Sequence, residues 1–289
     1  MNRVMEAMVL ALGCALLDAR VAAADVIRTD VNVVTAVDIS DSVEPRQIAL
    51  QIDGMAQALR TYAILEAIQE GQHGSIGFAV FAWYHGHHYP ELVSWTLIAS
   101  ASDAISVSDQ LLKSLRLARE AEGRRQSKIH HLGRLTDMSE AIGHAAELLR
   151  MAPYAASRSV VNIISNGEDN LGEGPRLARD TLIAQGGTIN GVILGGEPRI
   201  VDYFRQEVIG GPNAFLLPAD DADSIVRLFV RKLRSDIVSY IGPARIRTTF
   251  EKTHETQLTQ LEAERLPQAA QYAALPGQHA ARRTEIPDD

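Results

Sequence analysis

Asp38, Ser40 and Ser42 stand at alternate positions in Val31-Asn32-Val33-Val34-Thr35-Ala36-Val37-Asp38-Ile39-Ser40-Asp41-Ser42, directly after a β-branched, apolar run. A carboxylate and two hydroxyls are hard oxygen donors. Where the chain bends they reach a common point, and such a set suits a divalent cation such as Mg2+. Three short polar residues after a strand also make an ordinary turn. Which of the two applies depends on the elements that position them. The run before Asp38 shows little polar–apolar alternation, which predicts a strand buried on both faces, as parallel strands are. The oxygen cluster then lies where that strand ends.

The following segments alternate in the same way. Glu44 and Pro45 suit a helix first turn, and Ile48, Ile52, Met55, Leu59, Tyr62 and Leu65 recur at helical steps, predicting one helix to about Gln69. Strands are predicted over Ser75–Trp83 and about Tyr89–Leu97, joined by a short loop and therefore antiparallel. A helix begins at Ser102 or Asp103 and runs through Leu115, and the charged Arg119–Lys128 stretch reads as an exposed connection. Thr136 and Asp137 open the next helix, with Met138, Ile142, Ala145, Leu148 and Leu149 on one side. A strand at Val160–Ile164, a helix near Pro175–Gln185 and a strand at Thr188–Leu194 follow. A short helix at Ile200–Val208, a brief strand at Ala214–Leu217 and a helix from Asp221 to about Tyr240 complete the pattern. This order predicts an α/β fold, doubly wound, with a mainly parallel central sheet, one antiparallel edge strand and helices on both faces. Sites in such sheets lie beyond the carboxyl ends of the strands. Asp38, the loop before Thr136 and the turn at Asn166 all fall at that end.

With those three segments in hand, the chain resembles the von Willebrand factor type A (vWA) family over roughly residues 30–240. Asp38-Ile39-Ser40-Asp41-Ser42 resembles the family's Asp-x-Ser-x-Ser signature, Thr136 in Gly133-Arg134-Leu135-Thr136-Asp137 resembles its second-loop threonine, and Ser165-Asn166-Gly167 stands where the family usually has Ser/Thr-Asp-Gly. The resemblance implies a Rossmann-like vWA fold and a metal-ion-dependent adhesion site (MIDAS) formed by Asp38, Ser40, Ser42, Thr136 and Asn166. It implies Mg2+, or Mn2+ or Ca2+, as the ion. Ser40 and Ser42 would ligate directly, Asp38 directly or through water, and Thr136 when the site is engaged. A protein partner offering Asp or Glu would complete the shell. Asn166 departs from the family: it keeps an oxygen acceptor but lacks the charge. Glu168 and Asp169 in the same turn are candidates to supply it. The hairpin with Trp83 and Ser94-Trp95-Thr96, together with the N-terminus, is most similar to a little-studied branch of secreted bacterial vWA proteins.

The 289 residues carry a net charge of -8, which excludes a general nucleic-acid binder and disfavours an anionic membrane surface. Arg3, the apolar run Met8–Leu17 and Ala22-Ala23-Ala24 resemble an export signal over residues 1–24, too short for a lasting membrane span. The expected location is therefore secreted or periplasmic. Cys14, the single cysteine, lies inside that run, so the remainder has no thiol chemistry; a lipoprotein anchored through Cys14 is the alternative. Residues 25–240 form the expected vWA-like domain. Residues 241–289 form a polar tail, partly helical or disordered.

The function expected is an exported, non-enzymatic module that contacts an acidic side chain of a partner protein through the metal. The alternatives are a metal-dependent hydrolase at the same edge, with Asp41 or Glu168 as base, and a scaffold with a degenerate site. No Gly-x-Ser-x-Gly elbow supports Ser40 or Ser42 as a nucleophile. His85, His87 and His88 read as a solvated hairpin loop that could otherwise hold a transition metal, and His130 and His131 as a surface loop. Asp137 favours a helix N-terminus. Asp220, Asp221 and Asp223 read as a helix start, and the glycine pairs 186–187, 195–196 and 210–211 as turns.

Overall fold

The computed structural model describes residues 26–87, 89–125, 135–171, 174–219 and 225–238, with only the backbone for 118–125. The expected export signal with Cys14, His88, His130, His131, the acidic run at 220–223 and the 241–289 tail lie outside these residues.

Strand β2 (Val31–Asp38) is buried along its whole length, as its lack of alternation predicts. It forms the middle of a six-stranded sheet of order β4-β3-β2-β6-β7-β8. The partners are β3 (Ile76–Trp83), β4 (Glu91–Ile98), β6 (Ser159–Ser165), β7 (Gly187–Leu194) and β8 (Leu216–Ala219). All pairings are parallel except β3–β4, the antiparallel hairpin at one edge. The chain winds outward from β2 through β3 to β4, then returns to the other side of β2 for β6. The reversal of strand order therefore falls between the carboxyl ends of β2 and β6, where such sheets leave a crevice.

Successive side chains on β2 point to opposite faces, and each face has its own apolar core. Val31, Val33 and Val37 pack with helices α1 (Pro45–Leu59), α2 (Tyr62–Gln69), α3 (Ala101–Arg125) and α7 (Ile225–Val238). Val34 and Ala36 pack with α4 (Met138–Arg150), α5 (Arg176–Ala184) and α6 (Pro198–Tyr203), the last continuing as a π-helical turn over Phe204–Val208. No described helix is long and apolar enough to cross a membrane.

Three expectations need correction. The single helix to Gln69 is two helices, because Thr61 is extended (φ -79°, ψ 145°) and turns its hydroxyl onto the Ala58 carbonyl at 2.7 Å. Arg60 fixes the corner by reaching Ser108 (2.6 Å) and Asp109 (2.5 Å) on α3. The apolar spacing continues across the break since both helices cover the same sheet face. Helix α3 runs on to Arg125 through the charged stretch read as a connection, whose Ala, Arg and Glu are strong helix formers. The last strand starts at Leu216, because Ala214 is held in a turn by the Gly211 carbonyl (3.2 Å). A two-residue parallel pairing of β1 (Arg28–Thr29) with β5 (Ala155–Ala156) adds to the fold.

Candidate metal centre at the carboxyl edge of the sheet

Asp38 ends β2, fully buried, and both its oxygens are engaged. Oδ1 accepts the Ser40 backbone N–H at 2.8 Å, and Oδ2 accepts the Ser165 hydroxyl, from the end of β6, at 2.6 Å. Burial raises the Asp38 pKa above the usual carboxylate value, against the opposing pull of Ser165 and Ser40. The loop after Asp38 stays tight because Val43 N–H donates to Ser40 carbonyl oxygen (3.0 Å) and the buried Val43 side chain plugs the core beneath it. Glu44 then starts α1, its backbone N–H donating to Gln47 Oε1 (3.1 Å), with Pro45 in the first turn.

In front of Asp38 lies a chain of hydroxyls. Thr136 Oγ1 is 3.1 Å from Ser40 Oγ, Ser40 Oγ is 3.1 Å from Ser42 Oγ, and Ser42 donates to Asn166 Oδ1 at 3.0 Å. Asn166 also donates from Nδ2 to the Ser42 carbonyl at 2.7 Å. Ser40 and Thr136 are buried while Ser42 is exposed, so the row opens toward solvent at one end. Asp38, Ser40, Ser42, Thr136 and Asn166 thus share one network.

The donor set can be tested against a hard ion. Bonds of about 2.1 Å to an octahedral Mg2+ place adjacent ligands about 2.9–3.0 Å apart. The spacings of 3.1 Å from Ser40 Oγ to Thr136 Oγ1 and to Ser42 Oγ are close to that edge, so these three hydroxyls are compatible with such an ion. Asp38, with both oxygens already engaged, is placed to act through a remaining lone pair or an intervening water.

Ser165, Asp169 and Asn170 position the third loop, and none of these roles was read from the sequence. Asn170 accepts Thr136 N–H (2.8 Å) and returns its own N–H to the Thr136 carbonyl (3.1 Å). Asp169 accepts Met138 N–H and Leu171 N–H, each at 2.8 Å, and is half-buried, with its pKa raised by that burial. It therefore faces the start of α4, and Glu168 pairs with Arg199 at 3.4 Å. Neither stands in for the charge missing at Asn166. The only advance signal was the density of Asx residues after Ser165, which side chain–backbone turns favour.

Beside this network is a second group. Asp137 caps α4 through Glu140 N–H (3.0 Å), as its position before the helix predicts, and its other oxygen lies 3.3 Å from His85 Nδ1. Gly86 (φ 97°) and His87 (φ 56°) take left-handed backbone, which turns two successive N–H groups onto Glu140 Oε2 at 3.3 and 3.2 Å. The hairpin loop is exposed at residues 85–87, as its composition predicts, and is also docked on α4 through Glu140. Ligand atoms of His85, Asp137 and Glu140 lie within 4.8 Å of one another, a candidate metal-coordinating cluster.

The architecture is that of vWA domains. Proximal thread matrix protein 1 from the mussel byssus, with a zinc-occupied MIDAS motif, is 13% identical, with a TM-score of 0.50 over 73% of this chain and 49% of its own. The pilus adhesin SpaC of Lactobacillus rhamnosus GG is 11% identical, with a TM-score of 0.50 over 72% of this chain and 31% of its own. A von Willebrand factor type A protein of Catenulispora acidiphila is 15% identical, with a TM-score of 0.48 over 73% and 43%. The chain thus spans about half or less of the length of these solved proteins. No curated protein matches it in sequence. Residues 28–241 match the family described as Protein of unknown function (DUF1194), and the chain belongs to that family.

Proposed function

We propose that the protein is an exported protein-binding module that holds a divalent cation, Mg2+ first, at Asp38, Ser40, Ser42, Thr136 and Asn166. The ion would present an open position to a carboxylate of a partner. One observation carries this: the Thr136, Ser40 and Ser42 hydroxyls form a row at successive spacings of 3.1 Å, set in front of a buried carboxylate and open to solvent at Ser42. Neutral ligands leave most of the ion's charge for an acidic partner. The MIDAS motif of the mussel protein supports the reading by likeness of fold, and the Met8–Leu17 run supports export. A bound ion raises the melting temperature by mass action, by about 2.7 kcal/mol of stability at a hundred times Kd. The test is thermal melting in Mg2+ and in chelator. A rise for the natural chain that Ser40→Ala abolishes is expected; equal melting in both solutions for both proteins overturns the proposal.

A second position is favoured by the convergence of His85, Asp137 and Glu140. One imidazole and two carboxylates suit Zn2+ better than Mg2+. Stabilisation by Zn2+ that His85→Ala removes and Ser40→Ala leaves intact assigns the ion here; the reverse pattern excludes it.

A further inference from the structure

The face of the sheet beneath α7 carries a polar row where the core is otherwise apolar. Thr35, Asn162 and Asn190 are mutual register partners on β2, β6 and β7, and all three are buried. Lys232 and Asp236, one turn apart on α7, close over this row with side chains 1% and 0% exposed. The Lys232 amine contacts Asp236 Oδ1 (2.7 Å), Asp236 Oδ2 (2.8 Å) and the side-chain carbonyl oxygen of Asn162. Asn162 Nδ2 donates to the same Asp236 Oδ2 at 2.8 Å. One carboxylate therefore bridges an amine and the amide nitrogen of the carbonyl which that amine touches.

We propose that Lys232 and Asn162 become joined by an intramolecular isopeptide bond, formed in the folded chain with Asp236 as proton carrier. Acyl transfer between two side chains needs the nucleophile and the acyl group held in contact. Nζ touches the side-chain oxygen of Asn162, which is bonded to the Cγ it would attack. Burial drives Lys232 toward its neutral, nucleophilic form, opposed by Asp236. The Phe215 ring lies 4.7 Å from Nζ, and the burial of the Lys232 side chain keeps the amine from solvent. Asn190 is no rival acceptor, since its carbonyl is taken by Phe215 N–H (2.9 Å) and it shows Asp236 only its Nδ2 (2.9 Å).

The steps balance without oxidant or reductant. Asp236 takes a proton from the ammonium, and the free amine forms a bond to Asn162 Cγ. Asp236 returns that proton to Nδ2, the Cγ–Nδ2 bond breaks and ammonia leaves. The nitrogen of the new amide then gives up its extra proton to Asp236. One amide replaces another, and the bond closes the segment from 162 to 232 across the sheet–helix interface.

The test is the intact mass of the denatured full-length chain as purified, followed by proteolysis and peptide sequencing by mass spectrometry. The expected result is a mass short of its sequence by one ammonia, with a branched peptide joining Asn162 to Lys232. A full mass overturns the proposal, as does loss of ammonia without the branched peptide, which would mark succinimide formation instead. Asp236→Asn is expected to keep the ammonia; the same branched peptide in that variant overturns the role given to Asp236. The measurement on the natural chain decides the bond whether or not the variant folds.

Discussion

Asn166→Asp isolates the charge that separates this edge from the Ser/Thr-Asp-Gly form of the motif. Asn166 Nδ2 donates to the Ser42 carbonyl at 2.7 Å, so an aspartate places an oxygen against that oxygen. Without an ion, an unmade, repulsive contact of this kind costs about 2 kcal/mol. In a domain of about 200 residues that is a fall of about 4–8 °C in melting temperature. With Mg2+ the sign reverses. Asn166 Oδ1 lies 3.0 Å from Ser42 Oγ, itself a ligand in the proposed site, so the new charge stands about 5 Å from the ion. Ser42 is exposed, which makes a water-like dielectric appropriate; a single negative charge and a divalent ion then attract by about 2 kcal/mol. The dissociation constant should tighten about thirtyfold. Titration calorimetry with Mg2+ measures this, and melting in chelator measures the cost. A variant whose Mg2+ affinity equals that of the natural chain would refute the placement of the ion beside Ser42.

Other consequences can be measured separately. Asp169→Ala removes the acceptor for Met138 and Leu171 N–H, and should cost about 1–3 kcal/mol in urea unfolding while weakening Mg2+ binding through Thr136. Lys232→Met removes the buried partner of Asp236 and with it any link to Asn162, and should cost about 3–5 kcal/mol in the same assay. His144 stacks on Tyr89, and burial holds its pKa below the ordinary value. Its contribution is fully present above the unfolded-state value of about 6.5 and is lost as pH falls through the lower folded value. His144→Phe should therefore flatten the loss of melting temperature on acidification below that pH, and an unchanged slope counts against it.

The sheet was legible because most of its strands carry long apolar runs, and the cluster of Asp38, Ser40 and Ser42 because it stands at the end of one of them. What escaped was contributed by contacts distant in sequence. Thr61 breaks a continuous apolar stripe without changing its period, so only the Arg60 contacts with α3 reveal the corner. The docking of His85 and His87 on α4 requires two left-handed residues in a loop whose composition reads as solvated. Asn32, Thr35, Asn162 and Asn190 fall within stretches read as strands, and nothing in those stretches sets them apart. Asn162 and Asn190 find Asp236 of α7, 74 and 46 positions away, and no local pattern pairs residues at that distance.

The β1–β5 pairing has a mechanical consequence. It ties Arg28 and Thr29 to Ala155 and Ala156 at the end of the sheet away from Asp38. Arg158, at the start of β6, holds the carbonyls of Asp236 and Ile237 at that same end, at 2.8 and 2.7 Å. Both limits of the described fold therefore emerge at the pole opposite the proposed ion. Tension between a gripped partner and a tethered chain would run lengthwise along β2 and its neighbours. The rungs between strands would then be loaded together in shear, the direction in which a sheet resists pulling, instead of being unzipped one at a time.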